Sequence, residues 1–225
     1  TMAQDNPDSQ YASWPTYSGD DLEMKIDKHG TDFTLWSPKA DAVQVRLYDT
    51  DRNSAPVRLI DMARGDNGTW RASVPERLYG KFYTFAVTID GKQLDETPGI
   101  WAKAVGTNGH RAAIIDMPAT NPAGWDQDHG PRLDNITDAV LYEMHHRDFS
   151  IDPSSGIVHK GKFLALTERD TKSPEGRATG IDHLKELGVT HVHILPSYDY
   201  NSVDEANLPS NQYNWGYDPY NYNAP

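Results

Sequence analysis

The chain has 225 residues, with 21 lysines and arginines against 33 aspartates and glutamates, and a formal net charge of −12 at pH 7. This length accommodates one large domain or two modest ones, and the charge argues against nucleic acid or an anionic membrane as partner, because both need basic patches. Cysteine is absent, which excludes disulfides and thiolate metal sites but leaves the compartment open. We expect no membrane-spanning helix and recognise no signal peptide.

Residues 1–20 are polar and contain two prolines, Pro7 and Pro15. Segments of low hydrophobicity at a terminus are poorly ordered unless they are tied down. We therefore expect a poorly ordered lead over this stretch. Its three aromatic side chains are the groups able to pin part of it against a neighbouring surface: Tyr11, Trp14 and Tyr17.

Residues 21–118 carry the pattern of short β-strands separated by Gly, Pro and Asp. Alternating polar and apolar side chains indicate strands, and Asp90-Gly91 is typical of a hairpin turn. Strands at this spacing predict a β-sandwich. The predicted strands are residues 31–36, 42–48, 69–74 and 81–88.

Two features predict the core of this sandwich. Val43, Val45 and Leu47 alternate within one strand, so their side chains share one face. Trp36 and Trp70 also lie inside alternating strands, and we favour core packing over glycan contact for both.

Residues 119–137 are rich in Pro, Gly, Asp and Asn, which predicts a linker. The pattern then changes over residues 138–225. Residues 138–144 form a nearly continuous apolar run, as expected of a strand buried on both faces. A second such strand covers residues 189–195 and ends at Pro196.

A helix is predicted between these two strands. Thr179 is a candidate N-cap, with Asp182 reaching back to the first turn, and Gly188 is a typical helix stop. Ile181, Leu184 and Leu187 fall on one face. The order strand, helix, strand predicts a βαβ unit with a parallel strand pair.

The segment Tyr213-Asn214-Trp215-Gly216-Tyr217-Asp218-Pro219 combines three aromatic rings with an amide and a carboxylate. It also contains a glycine and a proline, which interrupt regular secondary structure. Aromatic faces stack on the C–H faces of sugars, while polar groups bond the sugar hydroxyls. The alternative is an aromatic-rich packing loop. Composition alone leaves both open.

This segment closely resembles the signature segment of type I pullulanases, the starch-debranching enzymes of the α-amylase superfamily. Residues 142–149 and 188–196 resemble the first two strand motifs of the amylase-type barrel. Residues 33–38, 68–74 and 101–106 resemble the module that precedes this barrel in isoamylases, pullulanases and branching enzymes. The resemblance implies an immunoglobulin-like β-sandwich of glucan-binding type, followed by the first βαβ part of an α/β (β/α)8 barrel that is incomplete in this chain.

The resemblance also implies the site residues. Tyr217 matches the aromatic residue that stacks under the glucose ring at the cleavage subsite, and we favour binding over packing for it. Asn214 and Asp218 are candidate partners of sugar hydroxyls or supports of the loop. Trp215 either adds stacking or braces the loop from beneath.

No catalytic residue is assigned to this chain. Two carboxyl groups usually cut a glycosidic bond, and the resemblance places the catalytic carboxylates on later strands, four, five and seven. Residues 138–225 fall well short of the roughly 250 residues of a complete barrel. We give no catalytic role to the carboxylates that these residues do contain: Glu143, Asp148, Asp199, Asp204, Glu205 and Asp218.

The resemblance implies a complete enzyme that hydrolyses α-1,6 branch links in pullulan, starch dextrins or glycogen with retention of configuration. It would act only with the remaining barrel segment, in the same polypeptide or as a separate chain. One alternative is a non-catalytic α-glucan-binding protein, although two parallel strands and a helix leave strand edges uncovered. Another is a debranching enzyme of isoamylase type, which the intact signature segment disfavours.

Metal sites are weighed last. His191 and His193 point to one face of a strand, as some metal sites require, but hydrogen-bonded histidines are favoured. We expect Glu143 and Arg147 to form a buried or half-buried charge pair. An acidic cluster has the oxygens for calcium, although a solvated loop is favoured there: Asp199, Asp204 and Glu205.

Overall fold

The computed structural model describes residues 11–225. Residues 1–10 of the predicted lead lie outside the described residues. The first nine β-strands are β1 (Glu23–Asp27), β2 (Gly30–Trp36), β3 (Ala42–Tyr48), β4 (Arg58–Asp61), β5 (Ala63–Arg64), β6 (Thr69–Val74), β7 (Phe82–Ile89), β8 (Lys92–Gln93) and β9 (Ala112–Ala113). They are followed by β10 (Leu141–Met144), the helix α1 (Gly180–Glu186), β11 (His191–Ile194), β12 (Asp199–Tyr200) and β13 (Pro219–Asn221).

Two antiparallel sheets form the first part of the chain. One has the strand order β1-β2-β6-β5, and the other has the order β4-β3-β7-β8, with β9 also pairing with β7. The four strands expected from the alternating pattern are all present as β2, β3, β6 and β7. The predicted β-sandwich is confirmed.

Side chains from both sheets form one core. Phe33 of β2 and Phe85 of β7 are both 0% exposed, and their ring centroids lie 6.4 Å apart across the sandwich. Val43, Val45 and Leu47 belong to the same buried cluster, which confirms that they share the inward face of β3.

The two strand tryptophans have different environments. Trp70 is buried in the core, and its Nε1 donates a hydrogen bond to the Ser37 carbonyl at 3.0 Å. Trp36 is 36% exposed, so the prediction of core packing is wrong for it. Trp36 is the last residue of β2, where the strand leaves the sheet, and its ring lies 6.1 Å from that of Trp14.

The aromatic residues of the lead do contact the sandwich within the described part of the chain. Trp36 Nε1 donates to the Pro15 carbonyl at 3.2 Å, beside the Trp14 ring. Tyr17 accepts a hydrogen bond from Arg71 at 2.8 Å. Residues 14–17 therefore lie against the surface of the first sheet.

Strands β10 and β11 pair in parallel, with Leu141 opposite His191 and Met144 opposite Ile194. Helix α1 connects them in the chain, so the predicted strand–helix–strand unit is confirmed. Gly188 follows the helix with a φ of 72°. This left-handed conformation suits glycine and ends the helix as expected.

The predicted capping arrangement at the start of α1 is wrong. Thr179 occupies the N-cap position, but its hydroxyl donates to the Ser155 carbonyl at 2.6 Å instead of bonding the helix. Asp182 accepts from the Asp170 backbone N–H at 2.6 Å and also pairs with Arg169. Both side chains are used to hold the preceding loop, which is why neither caps the helix.

The prediction that β10 is buried on both faces is also wrong for this chain. Leu141 is 71% exposed, and Val192 and Ile194 of β11 are 40% and 37% exposed. Strands of a parallel sheet are buried by neighbouring strands and by helices on both faces. The described residues give this sheet two strands only, so these three apolar side chains are partly or largely exposed, whereas Met144 of β10 is buried.

Within residues 11–225, no helix has the length and apolar character needed to cross a membrane.

Candidate functional site

The candidate site lies where the two parallel strands end. Since β10 and β11 run in the same direction, the segments that follow them leave the sheet at one edge. The second of these segments leads into residues 199–221, here called the site loop. Its base is closed by β12 and β13, which pair Asp199 with Asn221.

Asn214 is the centre of the hydrogen-bond network inside the site loop. Its Nδ2 donates to Ser202 Oγ at 2.6 Å and to Asp218 Oδ1 at 2.5 Å, and its Oδ1 accepts from the Gly216 N–H at 2.6 Å. Only 7% of Asn214 is exposed. Both polar atoms of the amide are therefore bonded to groups of the loop, and the side chain is turned away from solvent.

Gly216 explains why the signature segment carries a glycine. Its φ is +94°, and a Cβ at this position would lie 2.0 Å from the Pro196 carbonyl oxygen. Any side chain would both strain the backbone and push the loop away from the end of β11. Gly216 thus fixes the close approach of the loop to the sheet edge.

The network leaves the rings of the segment on the surface. Tyr217 is 68% exposed and Trp215 is 61% exposed. Tyr213 is less exposed, at 43%. Its ring is nearly perpendicular to that of Trp215, and the two ring centroids lie 6.3 Å apart. Flat, exposed aromatic faces on a loop held from within are suited to stacking against a ligand.

His145, which follows β10, supports the loop from the neighbouring strand. Its Nε2 lies 2.7 Å from the Asn214 carbonyl oxygen, and because a carbonyl only accepts, Nε2 carries the proton. Its Nδ1 then accepts from the Asp148 N–H at 3.4 Å. The sequence showed a histidine directly after a predicted strand, and this pattern does not by itself reveal a partner 69 residues away.

Asp218 is held in its ionised form. Hydrogen bonds from the Ser202 and Asn214 side chains keep the pKa of this carboxyl below its usual range, because they favour the charged state. Ser202 was not singled out from the sequence. Nothing in its local pattern marks it apart from other loop serines.

The expected pair between Glu143 and Arg147 is wrong. Arg147 bonds Asp148 at 2.9 Å and Asn211 Oδ1 at 2.8 Å, while Glu143 lies 3.1 Å from His193 Nδ1. The side chains of Glu143 and His193 are 61% and 72% exposed.

The geometry lends no support to the metal alternatives. Among residues 11–225, no three His, Asp or Glu side chains are arranged to hold a metal ion. His191 Nδ1 lies 2.8 Å from Thr190 Oγ1. Asp204 and Glu205 both accept hydrogen bonds from Asn108, whereas Asp199 is buried against Asn221.

The first comparison with known proteins concerns the β-sandwich. Residues 18–105 match the family Carbohydrate-binding module 48 (Isoamylase N-terminal domain). This match covers most of the β-sandwich, the part of the chain that was expected to have an immunoglobulin-like fold. The match ends before β10 and the site loop.

Over nearly its whole length the chain is similar to pullulanases. It is 38% identical over 195 residues to Pullulanase of Bacillus subtilis (strain 168), covering 87% of this chain and 26% of that protein. Apo pullulanase from Paenibacillus barengoltzii matches with 50% identity and a TM-score of 0.88, covering 93% of this chain and 32% of that one.

Further relatives agree with this assignment. Pullulanase from Bacillus acidopullulyticus matches with 44% identity and a TM-score of 0.88, covering 95% of this chain and 26% of that one. A solved structure of the P. barengoltzii enzyme is a complex with maltohexaose and α-cyclodextrin. The resemblance to pullulanases is confirmed, and the chain spans about a quarter to a third of the length of these relatives.

Proposed function

We propose that this chain is part of a pullulanase-type glycoside hydrolase that cleaves α-1,6-glucosidic links in pullulan, starch dextrins or glycogen with retention of configuration. One observation carries the proposal. The exposed rings of Tyr217 and Trp215 stand on the loop after β11, in a chain 50% identical to a solved pullulanase. The maltohexaose and α-cyclodextrin bound by that relative indicate α-glucan as the ligand class.

In this proposal β10, α1 and β11 are the first βαβ part of a (β/α)8 barrel. The parallel pairing, the open strand edges and the exposed apolar side chains support a sheet that further strands complete. The greater length of the relatives supports it too. The catalytic carboxylates then belong to the remaining barrel segment, in the same polypeptide or in a separate chain, and none is assigned here.

The four candidate residues receive different roles. Tyr217 stacks under a glucose ring, and Trp215 offers a second stacking surface because it is exposed. The internal bonds of Asn214 favour a role in holding the loop over contact with glucan. Asp218 is only half-buried and remains the candidate for bonding a sugar hydroxyl.

The test uses the full natural polypeptide that carries this sequence, with pullulan as substrate and reducing ends as readout. Removing one stacking ring costs roughly 0.5–1.5 kcal/mol, so Tyr217→Ala should raise KM about two- to twelvefold. Tyr217→Phe should stay near the parent. Tyr222→Ala is the matched control, since Tyr222 has the same 68% exposure but lies outside the site loop.

Two outcomes would support the other functions. Glucan binding without any hydrolysis by the full polypeptide favours the non-catalytic binding protein. Cleavage of glycogen branches without cleavage of pullulan favours an enzyme of isoamylase type, and isoamylase SU1 of Zea mays is a relative at 26% identity over 223 residues. Equal KM values for Tyr217→Ala and Tyr222→Ala would contradict the binding role given to Tyr217.

A further inference from the structure

A tight turn at the end of the β-sandwich, residues 107–109, contacts the site loop. Asn108 and Gly109 have φ values of +61° and +71°. Asn and Gly tolerate this left-handed conformation, which brings the backbone of the turn directly against the loop. The turn belongs to the part of the chain just after the module 48 match.

Asn108 makes a reciprocal contact with the loop. Its N–H donates to Glu205 Oε2 at 2.8 Å, and its Oδ1 accepts from the Glu205 N–H at 2.8 Å. Its Nδ2 donates to Asp204 Oδ1 at 3.0 Å. Three hydrogen bonds, two of them to carboxylates, therefore join one residue at the end of the β-sandwich to two consecutive loop residues.

Gly109 makes the second contact, at the base of the loop. Asn221 Nδ2 donates to the Gly109 carbonyl at 3.0 Å and to Asp199 Oδ2 at 2.6 Å. A Cβ on Gly109 would lie 2.0 Å from Asp199 Oδ2. Asp199 and Asn221 are 2% and 6% exposed, so this contact is closed to water.

The contacts lead into the network that holds the rings. Asp204, which accepts a hydrogen bond from Asn108, lies two residues after Ser202. Ser202 in turn accepts a hydrogen bond from Asn214. The Asp204 N–H also donates to Gln212 Oε1 at 2.9 Å, two residues before Asn214. Two hydrogen bonds therefore connect the segment around Asp204 with the segment that carries Asn214.

We infer that Asn108 and Gly109 are positioning residues for glucan binding, through which the module sets the affinity of the site loop. The inference rests on the proposed function of that loop. It gives the module a role in affinity that does not require glucan to touch the sandwich.

The test compares Gly109→Ala with Gly91→Ala in the full natural polypeptide. Gly91 has a φ of +72°, and a Cβ there meets nothing within 4 Å, so both variants carry the same backbone strain and only Gly109→Ala displaces Asp199. Amide hydrogen exchange of residues 199–221 should be at least tenfold faster in Gly109→Ala. KM for pullulan should rise at least fivefold while kcat changes less than twofold, as expected for lost uniform binding. In Gly91→Ala the exchange rates, KM and kcat should all stay within twofold of the parent values.

A second pair protects the test if Gly109→Ala does not fold. Asn108→Ala should reproduce the faster exchange and the higher KM, whereas Asn67→Ala, in a similar turn with a φ of 56°, should not. Combining Asn108→Ala with Asp204→Ala should give less than the sum of the two single changes, because each removes the hydrogen bond between Asn108 Nδ2 and Asp204 Oδ1. Additive effects would contradict the inference.

The exchange experiment keeps the two proposals separable. Equal exchange in Gly109→Ala and Gly91→Ala overturns the inference, as does faster exchange with an unchanged KM. If the parent polypeptide does not hydrolyse pullulan, the proposed function fails, and the KM of hydrolysis is replaced by the dissociation constant for maltohexaose.

Discussion

Replacing Asn214 by alanine tests the idea that the rings are presented by a network inside the loop. The change removes three hydrogen bonds and leaves the N–H of Gly216, which is buried, without its acceptor. An unsatisfied buried donor costs about 1–3 kcal/mol. Ser202 and Asp218 regain partners from water and add about 0.5 kcal/mol each.

The expected total is about 2–4 kcal/mol of local stability, since each of these terms is separate. Opening of the loop should then be roughly 30- to 700-fold more frequent. Amide hydrogen exchange of residues 199–221 measures this opening. Asn207→Ala, an exposed asparagine of the same loop, is the matched control. Similar exchange in both variants would refute the role given to Asn214.

Asn214→Asp adds a pH signature. At neutral pH the new carboxylate cannot donate to Asp218 and repels it, so the pair's pKa is raised in the folded loop. Stability from a raised pKa is present at low pH and is lost as the pH rises through that pKa. Loop protection should therefore recover on acidification in Asn214→Asp but not in Asn214→Ala. The same pH response in both variants would contradict the reasoning.

The remaining predictions concern the sandwich. Trp70→Ala should lower the free energy of unfolding by about 3–5 kcal/mol, because it empties the core, and Trp36→Ala should cost less than half as much; urea titration compares them. Burial raises the pKa of Glu23, so its contribution to stability is present in acid and is lost as the pH rises through the raised pKa. The stability of the parent relative to Glu23→Gln should accordingly fall across that range, and a flat difference would contradict it.

Much of the sandwich could be predicted because its central strands alternate strictly between turns. β3 and β6 have the predicted bounds, and the ends of β2 and β7 differ by one residue from the expected ranges. The short strands β4, β5, β8 and β9 were not predicted. They have two to four residues and are defined by pairing with a neighbour, which local pattern does not encode.

The candidate site could be located from the sequence, but its internal organisation could not. The signature segment marked the loop and its rings. The inward orientation of Asn214 depends on Ser202, 12 residues earlier, and on His145, 69 residues earlier. Likewise Asn108-Gly109 reads as a turn, whereas its contact with Glu205 spans 97 residues.

The open parallel strand pair affects the risk of aggregation while this polypeptide is synthesised. β10 and β11 each present an unpaired edge within the described chain, and Leu141 stands largely in solvent. Such edges recruit strands from other molecules. Domains fold as units, the N-terminal one first during synthesis, so we expect the sandwich to fold before β11 pairs with β10 and the open edges to be exposed from that point on. Chaperone demand during synthesis should therefore concentrate there, and residues 138–225 produced alone should aggregate.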